Sequence, residues 1–124
     1  MREVAALLSA ESALAAEPAR DPGAFQALVR EIGEDGAGEV RAVFWSETDA
    51  RLKRFGDLTL AQQRGRIERE AHSLKSAART FGYRRLAALA QELERNAAAL
   101  DDAVYRELLD AMAKAYAAAR DEDA

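Results

Sequence analysis

His72 is the only histidine in the chain, and its neighbours one and two helical turns away are Gly65, Glu68, Arg69, Lys75, Ser76 and Arg79. On a helix those positions share its face. A neutral imidazole offers a ring nitrogen that can attack phosphorus, and the resulting phosphoramidate is labile enough to pass the group on. Lys75, one turn away, can neutralise phosphoryl oxygens as a point charge. Ser76 and Gly65 are small, so a partner's active site can approach the face closely, with Arg69 and Arg79 at its margins. Transfer of this kind is mainly positioning and electrostatics.

These side chains need a rigid element beneath them. Ile67, Ala71, Leu74, Ala78 and Phe81 recur by fours and threes, the seam of a helix over about 60–81. His72 falls roughly 140° from the centre of that seam and is expected to face solvent. Gly82 stops this helix. Leu86, Leu89, Ala90, Leu93 and Ala97 mark the next, over about 83–98. Asp101 or Asp102 caps a last helix carrying Tyr105, Leu108, Leu109, Met112 and Tyr116, which are expected in the core, and the terminal Arg-Asp-Glu-Asp-Ala is expected to fray. If the two helices pair antiparallel about residues 81–82, residue 72 lies level with about 91. Gln91 is then placed to hydrogen-bond one ring nitrogen and leave the other to react, with Glu94 as the competing partner.

Upstream, Val4, Leu7, Leu8 and Leu14 predict a helix over 2–16, followed by a turn at 19–23. Phe25, Leu28, Val29 and Ile32 predict a short helix ending at Gly33-Glu34-Asp35-Gly36. Val40, Val43, Phe44, Leu52 and Phe55 supply the apolar side of a helix over 37–55, with Trp45 at the edge of the core, and Thr59 is the expected N-cap of the helix that follows. No segment alternates with period two. The expected fold is all-α: one domain over 1–124, an antiparallel four-helix bundle with one or two short N-terminal helices.

Composition narrows the chemistry. The chain has 124 residues, no cysteine and a net charge of −4. Thiolate metal sites, disulfides and cysteine nucleophiles are excluded. Paired Glu-x-x-His motifs, which an inward-facing di-metal bundle requires, are absent, so no metal site is expected. Between Arg64 and Arg85 seven bases stand against two acids, a local +5 in an acidic chain. That pattern disfavours nucleic acid and favours an acidic partner pocket. No apolar run is long enough to span a bilayer, and the protein is expected to be soluble, cytoplasmic and monomeric.

The run from Ala71-His72-Ser73-Leu74-Lys75-Ser76 through Thr80-Phe81-Gly82-Tyr83, followed by Leu86 and Leu93-Glu94, closely resembles the signature of histidine phosphotransfer (HPt) domains. His72, Leu74, Lys75, Gly82, Leu93 and Glu94 all fall on its positions. The Thr-Phe-Gly-Tyr run is also similar to the phospho-accepting domain of chemotaxis histidine kinases. The likeness covers about residues 25–118 and leaves 1–18 outside. It implies a phosphorelay intermediate, with His72 accepting a phosphoryl group from a receiver aspartate or a kinase and passing it to a response-regulator receiver. It implies no cofactor of the chain's own, since the Mg²⁺ comes with the receiver. No glycine-rich nucleotide loop is present, so self-phosphorylation is not expected. Ser76 replaces the family's glycine, which adds bulk at the docking face. The alternative is a helical adaptor that binds receivers or kinases without carrying phosphate.

Overall fold

The computed structural model describes residues 17–123, so the helix expected over 2–16 lies outside the described residues. Four helices make up the described residues, with no strand: α1 (Pro22–Asp57), α2 (Leu60–Thr80), α3 (Arg84–Asn96) and α4 (Asp102–Asp123). α2 packs on α1 and α3, and α4 on α3 and α1.

Local signals account for the element ends. Asp21 accepts the Gly23 N–H at 2.9 Å and Pro22 opens α1 with its φ already helical. Gly33, at φ 84° and ψ 166°, breaks α1 internally, so the two helices expected on either side of it are present but joined at one residue rather than through a four-residue link. Thr59 stands at the N-cap of α2, but its hydroxyl makes no cap bond; Gln63 reaches back and its Oε1 accepts the Thr59 N–H at 3.0 Å. Asp101 caps α4 by accepting the Val104 N–H at 2.9 Å.

The core is the expected seam. Ile67, Ala71, Leu74 and Ala78 of α2 meet Leu86, Leu89, Ala90 and Leu93 of α3, with Val104, Tyr105, Leu108, Met112 and Tyr116 of α4. Each fully buried leucine contributes about 1.5–3 kcal/mol. At one end Phe44 stacks on Phe81 at 4.5 Å and meets Tyr83 edge-on at 5.0 Å. Trp45 lies half-buried against this cluster, at the core edge as expected.

Two expectations fail. Val40 and Val43 are 42% and 55% exposed, because α1 turns Ala37, Phe44, Thr48 and Phe55 inward instead. The C-terminal tail does not fray among the described residues. α4 runs to Asp123, whose carboxylate is buried, ion-paired to Arg20 (2.7 Å) and Arg41 (3.1 Å) and accepting the Tyr83 hydroxyl at 3.0 Å.

The α2–α3 turn sets the site. Gly82 has φ 73°, and a Cβ there would collide with the Asp21 carbonyl oxygen and the Ala24 side chain. The Asp21 N–H donates to the Gly82 carbonyl at 2.7 Å. Only glycine allows both the left-handed turn and the close passage of the segment entering α1.

Candidate functional site

Cross-helix bonds fix the register of α2 against α3. Arg64 donates to the carbonyls of Ala97 and Leu100, Lys75 to Glu94, and Arg79 to Gln91. Residues later on α2 thus meet residues earlier on α3. Since Ile67, Ala71, Leu74 and Ala78 point inward, His72 must point out, and its side chain is 61% exposed.

Its partner is Glu94. Nδ1 of His72 lies 2.7 Å from Glu94 Oε2, and Lys75 Nζ lies 2.5 Å from Glu94 Oε1. The hydrogen bond from Lys75 holds the Glu94 carboxyl below the usual carboxylate range; burial opposes it, and the bond to His72 works with Lys75. An ionised carboxylate accepts only, so on a neutral ring Nδ1 carries the proton and Nε2 keeps its lone pair.

Gln91 does not touch the ring. Its Oε1 accepts from Arg79 at 2.6 Å, two turns beyond the histidine along α2. The pairing centre lies slightly past the Phe81-Gly82 turn, which brings Glu94 rather than Gln91 opposite His72. The signal that could have found it was present: Leu93-Glu94 at its spacing from the histidine, with glutamate the charged acceptor of the two.

The other expected residues are distributed along the exposed side of α2. Arg69 and Ser76 are exposed, and Arg69 lies beside Gly65, where an added Cβ would sit 3.4 Å from its guanidinium. The Ser76 carbonyl accepts the Thr80 hydroxyl at 3.1 Å. A shallow polar depression of about 440 Å³ adjoins the histidine, lined by Glu68, Lys75, Arg79, Gln91, Glu94 and Arg95. The run of bases is not one face, however. Arg64 holds the Ala97 and Leu100 carbonyls of the α3–α4 link, while Arg84 and Arg85 hold Glu17. Three of the seven cations in that run therefore tie the chain together.

On the far side of α2, Glu70 is bound by Arg51 (2.9 Å) and Arg54 (3.0 Å). Burial opposes its ionisation, but the two guanidinium groups outweigh it and hold the carboxyl below its ordinary value. This pair braces α2 against α1 behind the histidine. Sequence reasoning missed it, as it missed the Arg20–Arg41–Asp123 cluster, since neither has a local periodic signal.

What the arrangement can do is present one nucleophilic nitrogen to solvent, with its tautomer held by a carboxylate and cations close by. No curated protein and no solved structure matches the chain. One family model does match, over residues 39–122, and its description is Hpt domain.

Proposed function

The chain belongs to the Hpt domain family, and on that premise we propose that His72 takes up a phosphoryl group from a receiver aspartate or a kinase and hands it to a response-regulator receiver. The observation that carries this reading is the contact between His72 Nδ1 and Glu94, which leaves Nε2 outward on a side chain 61% exposed.

The Nε2 lone pair forms the N–P bond as the P–O bond to the donor carboxylate breaks, and that carboxylate leaves with the electron pair. The ring gains positive charge as the bond forms. The Nδ1 proton stays hydrogen-bonded to Glu94, whose negative charge offsets the developing cation. Lys75 acts first through Glu94, which its ammonium holds ionised and oriented, and it is one turn from the incoming phosphoryl oxygens. Arg69, Gly65, Ser76 and Arg79 form the docking face in this reading, and the receiver supplies Mg²⁺. Four helices, each packed on two others, with α2 and α3 paired head to tail, support the antiparallel bundle expected of the family.

Incubation with a phosphorylated receiver tests the proposal. The expected product is acid-labile, base-stable phosphate on the chain, absent from His72→Gln. Phosphate uptake by that variant at the wild-type level overturns the assignment. A folded wild-type chain that binds receivers yet never carries phosphate favours the adaptor reading.

A further inference from the structure

The charges beside His72 are uneven across α2. On the flank facing α3, Lys75 is held on one oxygen of Glu94 while the other takes His72 Nδ1, so lysine and glutamate offset each other. The Lys75 side chain is only 15% exposed. Glu68 lines the same depression. Its two arginines are engaged elsewhere, Arg79 with Gln91 two turns along α2 and Arg95 with Glu92. Next to the ring, that flank carries no surplus positive charge for a dianionic phosphoryl group.

The opposite flank does. At 3.6 residues per turn, Arg69 and Lys75 stand about 60° to either side of His72, and the bond to Glu94 places Lys75 on the α3 side. Helical side chains lean toward the N-terminus, so the His72 ring lies over the turn that holds Glu68 and Arg69. With Nδ1 turned to α3, Nε2 occupies the edge of the ring away from it, on the side of Arg69. Arg69 is exposed and makes no hydrogen bond or ion pair among the described residues. Its guanidinium rests over Gly65, where an added Cβ would stand 3.4 Å away. No side chain at Gly65 walls it in, and a swing of one turn brings it to the ring.

We propose that Arg69 is the cation that grips the phosphoryl group on Nε2, whereas Lys75 serves to hold Glu94. The inference rests on His72 as the phosphoryl carrier. A guanidinium presents paired N–H donors that match two phosphoryl oxygens.

Phosphoramidate, a small donor that needs no receiver, separates this contact from docking. The Nε2 lone pair attacks phosphorus, the donor's P–N bond breaks, and its protonated nitrogen leaves as ammonia with the electron pair. Uptake on the full chain is timed, and the phosphoryl ionisation is followed by ³¹P NMR against pH. Arg69→Gln is expected to slow uptake about tenfold and to raise the ionisation midpoint, since a cation favours the dianion. Arg69→Lys should recover part of both. Arg66→Gln removes the same charge from an exposed site of the same helix and should match wild type. Uptake lost in Arg69→Gln but kept in Arg69→Lys also supports the assignment. A midpoint unmoved in Arg69→Gln, or moved equally by Arg66→Gln, overturns this inference alone. No uptake by wild type, or uptake that persists in His72→Gln, overturns the phosphotransfer reading and this inference with it.

Discussion

Glu94 accepts from two residues of α2 at once, His72 Nδ1 at 2.7 Å through one oxygen and Lys75 Nζ at 2.5 Å through the other. The carboxylate thus couples the nucleophile to the lysine through its two oxygens.

Replacing Glu94 should separate orientation from charge. A hydrogen bond to a charged group contributes about 1.5–3 kcal/mol, so Glu94→Ala is expected to slow single-turnover transfer by roughly 10- to 100-fold. Glu94→Gln keeps an acceptor for Nδ1 and should lose less. Equal rates for wild type and Glu94→Ala in a rapid-quench assay would remove the carboxylate from the mechanism.

Lys75→Ala should slow transfer while leaving far-UV circular dichroism unchanged, because alanine is a strong helix former. Gln91→Ala, which severs only the contact to Arg79, should transfer at near the wild-type rate. The reverse ranking would restore the register expected from the sequence.

Gly82→Ala should destabilise the fold by about 1–3 kcal/mol from the left-handed backbone alone, and by more through the collision with Asp21 and Ala24. Urea unfolding is the measurement. A midpoint within error of wild type would mean that the segment entering α1 does not cross the turn.

Asp123→Ala removes the acid that neutralises Arg20 and Arg41 while its own side chain is only 2% exposed. Breaking a buried pair typically costs about 3–5 kcal/mol, and partial exposure of the arginines places this one at the low end. Unchanged thermal stability would return the tail to the frayed end that its sequence suggests.

Alkaline pH should destabilise the fold through its tyrosines. Burial pushes Tyr105 and Tyr116 up to about 12, and raises Tyr83 as well, from an ordinary 10.0. Between those values the unfolded chain gives up protons that the folded chain keeps, so stability is full below pH 10 and falls as pH rises towards 12. Absorbance titration at 295 nm with parallel denaturant melts checks both parts; tyrosines ionising at 10 with no loss of stability would contradict the burial.

The parts of this architecture written in local periodicity were legible beforehand. Leu74 inward, His72 outward and Gly82 at the turn follow from the spacing of apolar residues along one helix and from one breaker. What failed depended on rotation or distance. Val43 belongs to an apolar stripe on paper, yet α1 is rolled so that Thr48 goes inside and Val43 stays wet. Glu94 against Gln91 was a choice between neighbouring turns, decided by where the turn centres the pairing. Asp123 could not be found at all, since its partners are Arg20, Arg41 and Tyr83, and proximity across that separation is a property of the folded chain alone.

The indole N–H of Trp45 donates to the Tyr83 hydroxyl at 2.8 Å, and that hydroxyl in turn donates to Asp123. Because this is the chain's lone tryptophan, the molecule contains an intrinsic fluorophore wired to the junction where both of its described extremities converge. A red shift in emission would register the parting of that junction directly, without any label, during unfolding or when a partner engages.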